Sequence, residues 1–353
     1  MELNKTFNQW DLFDELIDFL VVAGPCSAES EEQMLDTARQ LKANGGIHLF
    51  RSGIWKPRTR PGTFEGYGED ALKWLKTVKQ ETGLHTTVEV ASAAHVELAL
   101  KYDVDVLWLG ARTTVNPFSV QEIADSLRGT NARVMVKNPM NPDLSLWIGS
   151  IERLYKVGIN KLAAIHRGFS THEVQKYRNM PMWNIPIELK RQFPNLPLIM
   201  DPSHIAGNRD YLQGIAQRGI NFGFDGMIVE VHNNPSVAMS DKEQQLTPTA
   251  FKDFVASLEF KSKEIHKHSE LDKHRSSINE LDSLILSTIS DRMKVAKMIG
   301  EFKKANNLPI LDLVRYSEIV KSKMDSAEKY GLTPEFVQHL YELIHSESLI
   351  NQE

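Results

Sequence analysis

A single cysteine, Cys26, occurs in 353 residues. One thiol cannot close an internal disulfide, so a secreted scaffold stapled by cystines is excluded. Long apolar runs are missing too: no window approaches 18 uninterrupted apolar residues, which removes a membrane-spanning helix from the reading. The first 24 residues are acidic and amphipathic, with neither a basic start nor an apolar core, and do not read as a signal peptide. Neither sign of charge dominates. Forty-one Lys and Arg against 46 Asp and Glu leave a net charge of −5, which argues against a general nucleic-acid binder or a polybasic membrane docker. What is present is ordinary for a globular core, with 41% hydrophobic and 25% charged residues. The expectation is a cytoplasmic protein of two domains, since an α/β barrel of about 250 residues would leave a remainder of about 100.

Eight short apolar, β-branched runs alternate with amphipathic stretches, at 19–26, 47–53, 85–92, 104–112, 132–138, 161–168, 196–204 and 225–232. Each is too short for a helix and lacks polar alternation, as a strand buried on both faces does. Eight such units in sequence predict a (β/α)8 TIM barrel. A doubly wound open sheet is the alternative, but no Gly-x-Gly-x-x-Gly follows the first run. Beyond about residue 250 strand-like runs cease and Gly and Pro become scarce. Apolar residues mostly three or four apart, including Leu271, Ile278, Leu281, Ile285, Ile289 and Met293, predict one helix over 270–304. A second is expected over about 312–330 and a third from Thr333-Pro334-Glu335. A helix of roughly 35 residues is far above the globular mean and needs a partner, most simply the same helix of a second subunit.

The ends of the eight runs carry Cys26, Arg51, Glu89, Arg112, Lys137, His166-Arg167, Asp201 with His204, and Glu230 with His232. In a barrel these ends converge on one face, where active sites sit. Singly, His48 or His232 reads as a packed or capping residue; the set as a whole does not read as solvated loops. Cys26, His204, Glu230 and Asp241 have metal-ligand chemistry, and one thiolate, one imidazole and two carboxylates suit a divalent ion of intermediate softness, of the Mn, Fe, Co or Zn class. Arg51, Lys56, Arg58, Arg112, Lys137 and Arg167 imply small substrates carrying several negative groups. The residues by themselves lead to metal-assisted chemistry on small anionic carbonyl compounds.

Seven strings carry a family resemblance: Gly24-Pro25-Cys26-Ser27, Arg51 followed by Lys56-Pro57-Arg58-Thr59, Gly110-Ala111-Arg112, Val136-Lys137-Asn138, His166-Arg167-Gly168-Phe169, Asp201-Pro202-Ser203-His204, and Glu230 with Asp241. Together they resemble the 3-deoxy-D-arabino-heptulosonate 7-phosphate (DAHP) synthases, in the branch without a long N-terminal regulatory extension. The resemblance implies condensation of phosphoenolpyruvate with erythrose 4-phosphate. It implies Cys26, His204, Glu230 and Asp241 as metal ligands. Arg51, Lys56, Arg112, Lys137 and Arg167 would hold phosphoenolpyruvate, with Glu89 and Ala111 lining its site, and Lys56 and Glu89 taking catalytic roles. Arg58 and Thr59 would hold the erythrose 4-phosphate phosphate. The runner-up within this fold is 3-deoxy-D-manno-octulosonate 8-phosphate synthase, whose family typically shows Lys-Ala-Asn-Arg where Lys56-Pro57-Arg58-Thr59 stands here.

The C-terminal helices resemble the all-helical chorismate mutases over about residues 268–353, which divides the chain into a barrel (1–260), a connector (261–270) and a three-helix domain (271–353). By this resemblance Arg292, Arg315 and Ser348 bind the carboxylates of chorismate, Lys303 and Gln352 reach the ether oxygen catalytically, Asp312 helps position the ring-hydroxyl region, and Arg275 comes from a partner subunit of a homodimer. Tyr316 stands where many members place a Glu that contacts the substrate hydroxyl. That departure sustains an alternative in which the helical domain is mainly a dimerising, ligand-sensing module. The fusion itself suggests prephenate as a feedback inhibitor of the barrel.

Overall fold

The computed structural model describes residues 7–13, 17–56, 62–171, 176–260 and 269–352. The chain divides into two compact units, Met1–Lys263 and Glu264–Glu353. In the first, all eight runs form strands: β1 Leu20–Gly24, β2 Leu49–Ser52, β3 His85–Val90, β4 Val106–Leu109, β5 Arg133–Lys137, β6 Lys161–His166, β7 Leu198–Met200 and β8 Gly226–Glu230. They pair in parallel in chain order, and β8 closes on β1 with Leu20 opposite Gly226 and Gly24 opposite Glu230. A closed barrel leaves no strand edge and brings eight carboxyl-terminal ends to one rim.

Two apolar layers follow from the alternation of side chains along each strand. Val22, Leu49, Val106, Trp108, Met135, Ala163, Ile165, Ile199 and Ile228 fill the barrel, with Trp10, Leu12 and Phe13 packed against them. Phe50, Val88, Leu107, Val136, Leu162, Met200 and Val229 point the other way, into the surrounding helices. Several of those helices begin as their sequences dictate. Ser30, Ser92, Asp143 and Thr247 each accept a backbone N–H of the first turn through their side chains.

The same parity corrects one expectation. His166 follows Ile165, which faces the barrel interior, so its own ring turns outward. It is fully buried among Trp147, Phe169, Trp183 and Phe224, and the strand-end imidazole is a core residue of the helix layer rather than part of the rim chemistry.

The second unit is three helices: α1 Ser269–Ala305, α2 Leu313–Asp325 and α3 Pro334–Ile350. The expected second helix stops earlier than 330, because Ser326 ends it and a 3-10 turn over Ala327–Tyr330 follows, closed by Gly331 in the left-handed conformation. Thr333 caps α3, with Pro334 in its first turn. α1 buries little: Ile278, Leu281, Leu284 and Ile285 are each more than half exposed.

Burial lowers the His166 pKa to about 3, so the folded chain keeps the ring neutral while the unfolded chain protonates it below its ordinary value of 6.5. Stability therefore falls as pH drops from about 6.5 towards 3, since only the unfolded state takes the proton in that window. Denaturant unfolding of the full chain between pH 7 and 4.5 should show a shallower loss in His166→Phe than in the parent. Parallel pH curves for the two would overturn this assignment.

Candidate active sites

At the carboxyl-terminal rim of the barrel lies a cavity of about 420 Å³. Six cations line it: Arg51, Lys56, Arg112, Lys137, Arg167 and Arg178. Even with Glu89, Asp201, Glu230 and Asp241 all counted against them, positive charge exceeds negative by two. Arg51 and Lys137 are carried on strands, and Lys56, Arg112, Arg167 and Arg178 on the segments that follow strand ends. Lys137, at the end of β5, donates to Asp201 at 2.9 Å, and both are buried. Arg51, on β2, lies 3.3 Å from Glu230, while its buried Nε and Nη1 have no hydrogen-bond partner. Unpartnered guanidinium donors at an apolar depth suit an anionic ligand. Arg167 donates to Asn179 at 2.7 Å, and its backbone N–H is held by Asn138 from the neighbouring strand end. Burial lowers the Arg167 pKa to about 10, which leaves the guanidinium charged at neutral pH.

Trp108 forms the floor. Arg51 and Lys137 stand 5.2 and 5.8 Å from its ring centroid, within the range of cation–π attraction, and its indole N–H donates to Glu89 at 2.9 Å. Gly110 leaves room for that carboxylate, because a Cβ there would lie 2.2 Å from Glu89 Oε1. Ala111 and Arg112 open the short helix that follows β4, and Arg112 reaches the cavity.

Beside the cations, one ligand atom each from Cys26, Glu230 and Asp241 lies within 4.8 Å of the others. His204 stands next to them, its Nε2 3.7 Å from Glu230 Oε1. Asp201 Oδ2 engages His204 Nδ1 at 2.8 Å, which leaves Nε2 as the ring nitrogen facing Glu230. Burial depresses the His204 pKa below its ordinary value, so the imidazole is neutral, as a metal ligand must be. Burial is also the main reason the Cys26 thiol is pushed up to about 12, with Glu230 adding to it. Burial works against the Lys56 ammonium, but Cys26, 2.9 Å from its Nζ, and the Glu230 carboxylate outweigh that and raise its pKa.

Asp241 adopts φ +45°, a left-handed conformation that Asp tolerates better than most residues. Although burial opposes ionisation, Arg178 at 2.8 Å holds its carboxyl well below the usual range. Glu230 Oε1 is buried with no hydrogen-bond partner, while Oε2 accepts from Gln244 at 2.6 Å. A buried carboxylate oxygen that accepts no hydrogen bond, 3.3 Å from Arg51 and beside a thiol, a second carboxylate and a neutral imidazole, fits a divalent ion of intermediate softness.

Sequence reasoning missed Trp108, Arg178, Asn179 and Gln244 in this site. Trp108 lay inside a run read only as a strand; Arg178 sat in a loop with no motif around it. Asp201 was noted at its strand end without its role as the brace of Lys137 and His204. His232 contacts Glu29 at 3.4 Å and accepts the Asn234 N–H, and does not line the cavity. Arg58 and Thr59, expected at a sugar phosphate, lie outside the described residues.

In the helical unit, Arg292 on α1 donates to Ser348 on α3. Lys303 reaches the Ile310 carbonyl at 2.5 Å. Gln352 donates to the Ser348 carbonyl at 3.2 Å, and its own buried Oε1 has no partner. Gly300 permits this closure, since a Cβ there would lie 2.5 Å from the Gln352 carbonyl oxygen. Arg292, Ser348 and Gln352 thus line the seam between α1 and the end of α3, while Lys303 turns to the loop that follows α1. Asp312 caps α2 by accepting the Arg315 N–H at 3.0 Å, while Arg315 pairs with Glu318 at 3.2 Å on the exposed surface. Arg275 is exposed and pairs with Asp272 at 3.5 Å. It stands 17 residues before Arg292 on one helix, about 25 Å along the axis, so one copy does not bring the two guanidiniums to a small ligand.

A closed parallel barrel with a cation-lined, metal-capable rim defines a barrel enzyme for small anionic substrates. Residues 17–267 match the DAHP synthetase I family and residues 274–353 match chorismate mutase type II. The chain belongs to the DAHP synthetase I family and carries a chorismate mutase domain after it in the sequence. It is 32% identical to phospho-2-dehydro-3-deoxyheptonate aldolase of Thermotoga maritima over 240 residues, covering 68% of this chain and 69% of the relative. A crystal structure of that Thermotoga enzyme, also called DAHP synthase, superposes with a TM-score of 0.64 at 30% identity, covering 71% of this chain and 72% of the other. A 2-dehydro-3-deoxyphosphooctonate aldolase of Polaromonas naphthalenivorans is 28% identical over 243 residues, covering 63% of this chain and 83% of the relative. The two enzyme classes share the barrel, and the DAHP synthase is the nearer of these matches.

Asp201→Asn removes the charge that braces both Lys137 and His204. Metal affinity measured by calorimetry should fall about 10–100-fold, the usual cost of losing an outer-shell partner of a liganding histidine. Unchanged affinity would mean that His204 is oriented by something else.

Proposed function

We propose that the barrel condenses phosphoenolpyruvate with erythrose 4-phosphate, releasing DAHP and phosphate, and that the helical domain rearranges chorismate to prephenate. The observation that carries the first reaction is the six-cation cavity beside the Cys26, Glu230 and Asp241 cluster. Arg51, Arg112, Lys137 and Arg167 hold the phosphate and carboxylate of phosphoenolpyruvate, with Ala111 at the edge of its site. Arg58 and Thr59 hold the phosphate of the sugar.

Bringing two mutually repelling anions together is an orientation effect as much as an electrostatic one. A divalent ion held by Cys26, His204, Glu230 and Asp241 supplies Lewis-acid polarisation of the aldehyde. Lys56, kept protonated by its neighbours, donates to the aldehyde oxygen as the enol carbon attacks. Glu89 orients the water that adds at C2, before phosphate leaves from the resulting hemiketal. The reduced thiol at this centre suits a cytoplasmic enzyme.

For chorismate, Arg292 and Arg315 with Ser348 take the carboxylates, and Lys303 and Gln352 stabilise the negative charge that grows on the ether oxygen. Asp312 helps position the ring-hydroxyl region. The partner subunit's Arg275 completes the clamp in a homodimer formed through the exposed apolar face of α1, where Ile278, Leu281 and Ile285 lie at helical spacing. Prephenate bound at the helical domain inhibits the barrel by favouring a less active arrangement.

Two measurements test this. Phosphoenolpyruvate loss with erythrose 4-phosphate and Mn²⁺ should be rapid and suppressed by prephenate. No loss with that sugar, but loss with arabinose 5-phosphate, would transfer the barrel to the octulosonate reading; loss that ignores prephenate would remove the feedback. Cys26→Ser should weaken metal binding and abolish most synthase activity while mutase activity stays intact. Equal loss of both activities would make Cys26 structural.

A further inference from the structure

Among the described residues where the three C-terminal helices meet, His345 is a polar group to which neither reaction has given a task. It lies on α3 three residues before Ser348, so the two share one face of that helix, and Gln352 follows just past the helix end. Across from that face stand Arg292, which bonds Ser348, and Gly300, which receives the Gln352 backbone. From α2, Tyr316 stacks on the imidazole with ring centroids 4.1 Å apart and an interplanar angle of 20°. The Nε2 of His345 is buried and has no hydrogen-bond partner, and a buried polar atom of this kind calls for a ligand or water to satisfy it. Burial, with Arg292 and Lys303 nearby, depresses the ring pKa and keeps it neutral.

We propose that His345, fixed by the Tyr316 ring, is a further chorismate-binding residue whose Nε2 hydrogen-bonds the ring hydroxyl of the substrate. This rests on the mutase reading. The guanidiniums of that site answer the two carboxylates, and Lys303 and Gln352 answer the ether oxygen; with Asp312 engaged by the Arg315 N–H as the cap of α2, the hydroxyl is the substrate group with a hydrogen bond still to be met. A neutral imidazole between cations suits a neutral hydroxyl. Tyr316, in place of an acidic side chain, has no carboxylate to offer that hydroxyl; its flat ring instead holds the imidazole that does.

The test compares chorismate with its 4-deoxy analogue, which lacks the hydroxyl, using the full-length chain. His345→Ala should lower kcat/KM for chorismate about 5–100-fold, the range for one lost buried hydrogen bond, and leave the analogue within about twofold. His345→Gln, which keeps an N–H donor, should recover part of the loss and guards against a variant that fails to fold. Equal losses on both substrates, or no loss on either, would overturn the proposal while the mutase reading stands. A parent chain that converts neither substrate would remove that reading and this inference with it.

Discussion

Charge concentrated at the mouth of the barrel is the constraint on which the rest of this structure depends. Like charges crowded into a poorly solvated cavity repel one another and lose hydration, so the cluster holds only if negative groups are interleaved at contact distance. Asp201 is the central one. It takes Lys137 on one side and His204 on the other, and so connects the cation wall to the liganding cluster. Glu230 does the same between Arg51 and the His204 ring. Trp108 lies beneath the wall and offers a π face to Arg51 and Lys137 where another carboxylate would cancel the charge that anionic substrates need. The apolar barrel below is what makes these arrangements rigid, because strands buried on both faces leave their end residues little freedom.

The helical unit meets the same problem in another way. Its cations sit on long, exposed helices, and small residues and side-chain hydroxyls bring them together. Gly300 lets the end of α3 close against α1, and Ser348 meets Arg292 across the gap. A rearrangement without covalent chemistry needs only such a clamp, compact and complementary to the charge that develops. The apolar residues left uncovered along α1 mark this unit as less self-sufficient than the barrel.

Much of this was legible in the linear chain. Eight apolar runs gave eight strands because a strand covered on both faces has no polar alternation to confuse it with a surface element. Helix starts at Asp312 and Thr333 were legible through side chains that cap locally. The same lack of alternation hid which way each strand-end residue faces: His166 looked like its neighbour Arg167, and only the closed barrel turns one into the helix layer and the other into the cavity. Arg178, Asn179 and Gln244 carry no local signature at all. Their roles come from Asp241, Arg167 and Glu230, partners brought close by the closing barrel.

What the sequence by itself determined was the kind of elements and their order, since hydrophobic period, capping residues and turn chemistry act over a few residues. It also determined which chemical groups were available at the strand ends. The tertiary structure alone decided which of those groups share a site. Cys26 and Asp241 are 215 positions apart and meet at 3.3 Å, and that contact exists only once β8 has paired with β1. Side-chain parity and ring closure are properties of the whole sheet, and no short window of residues contains them.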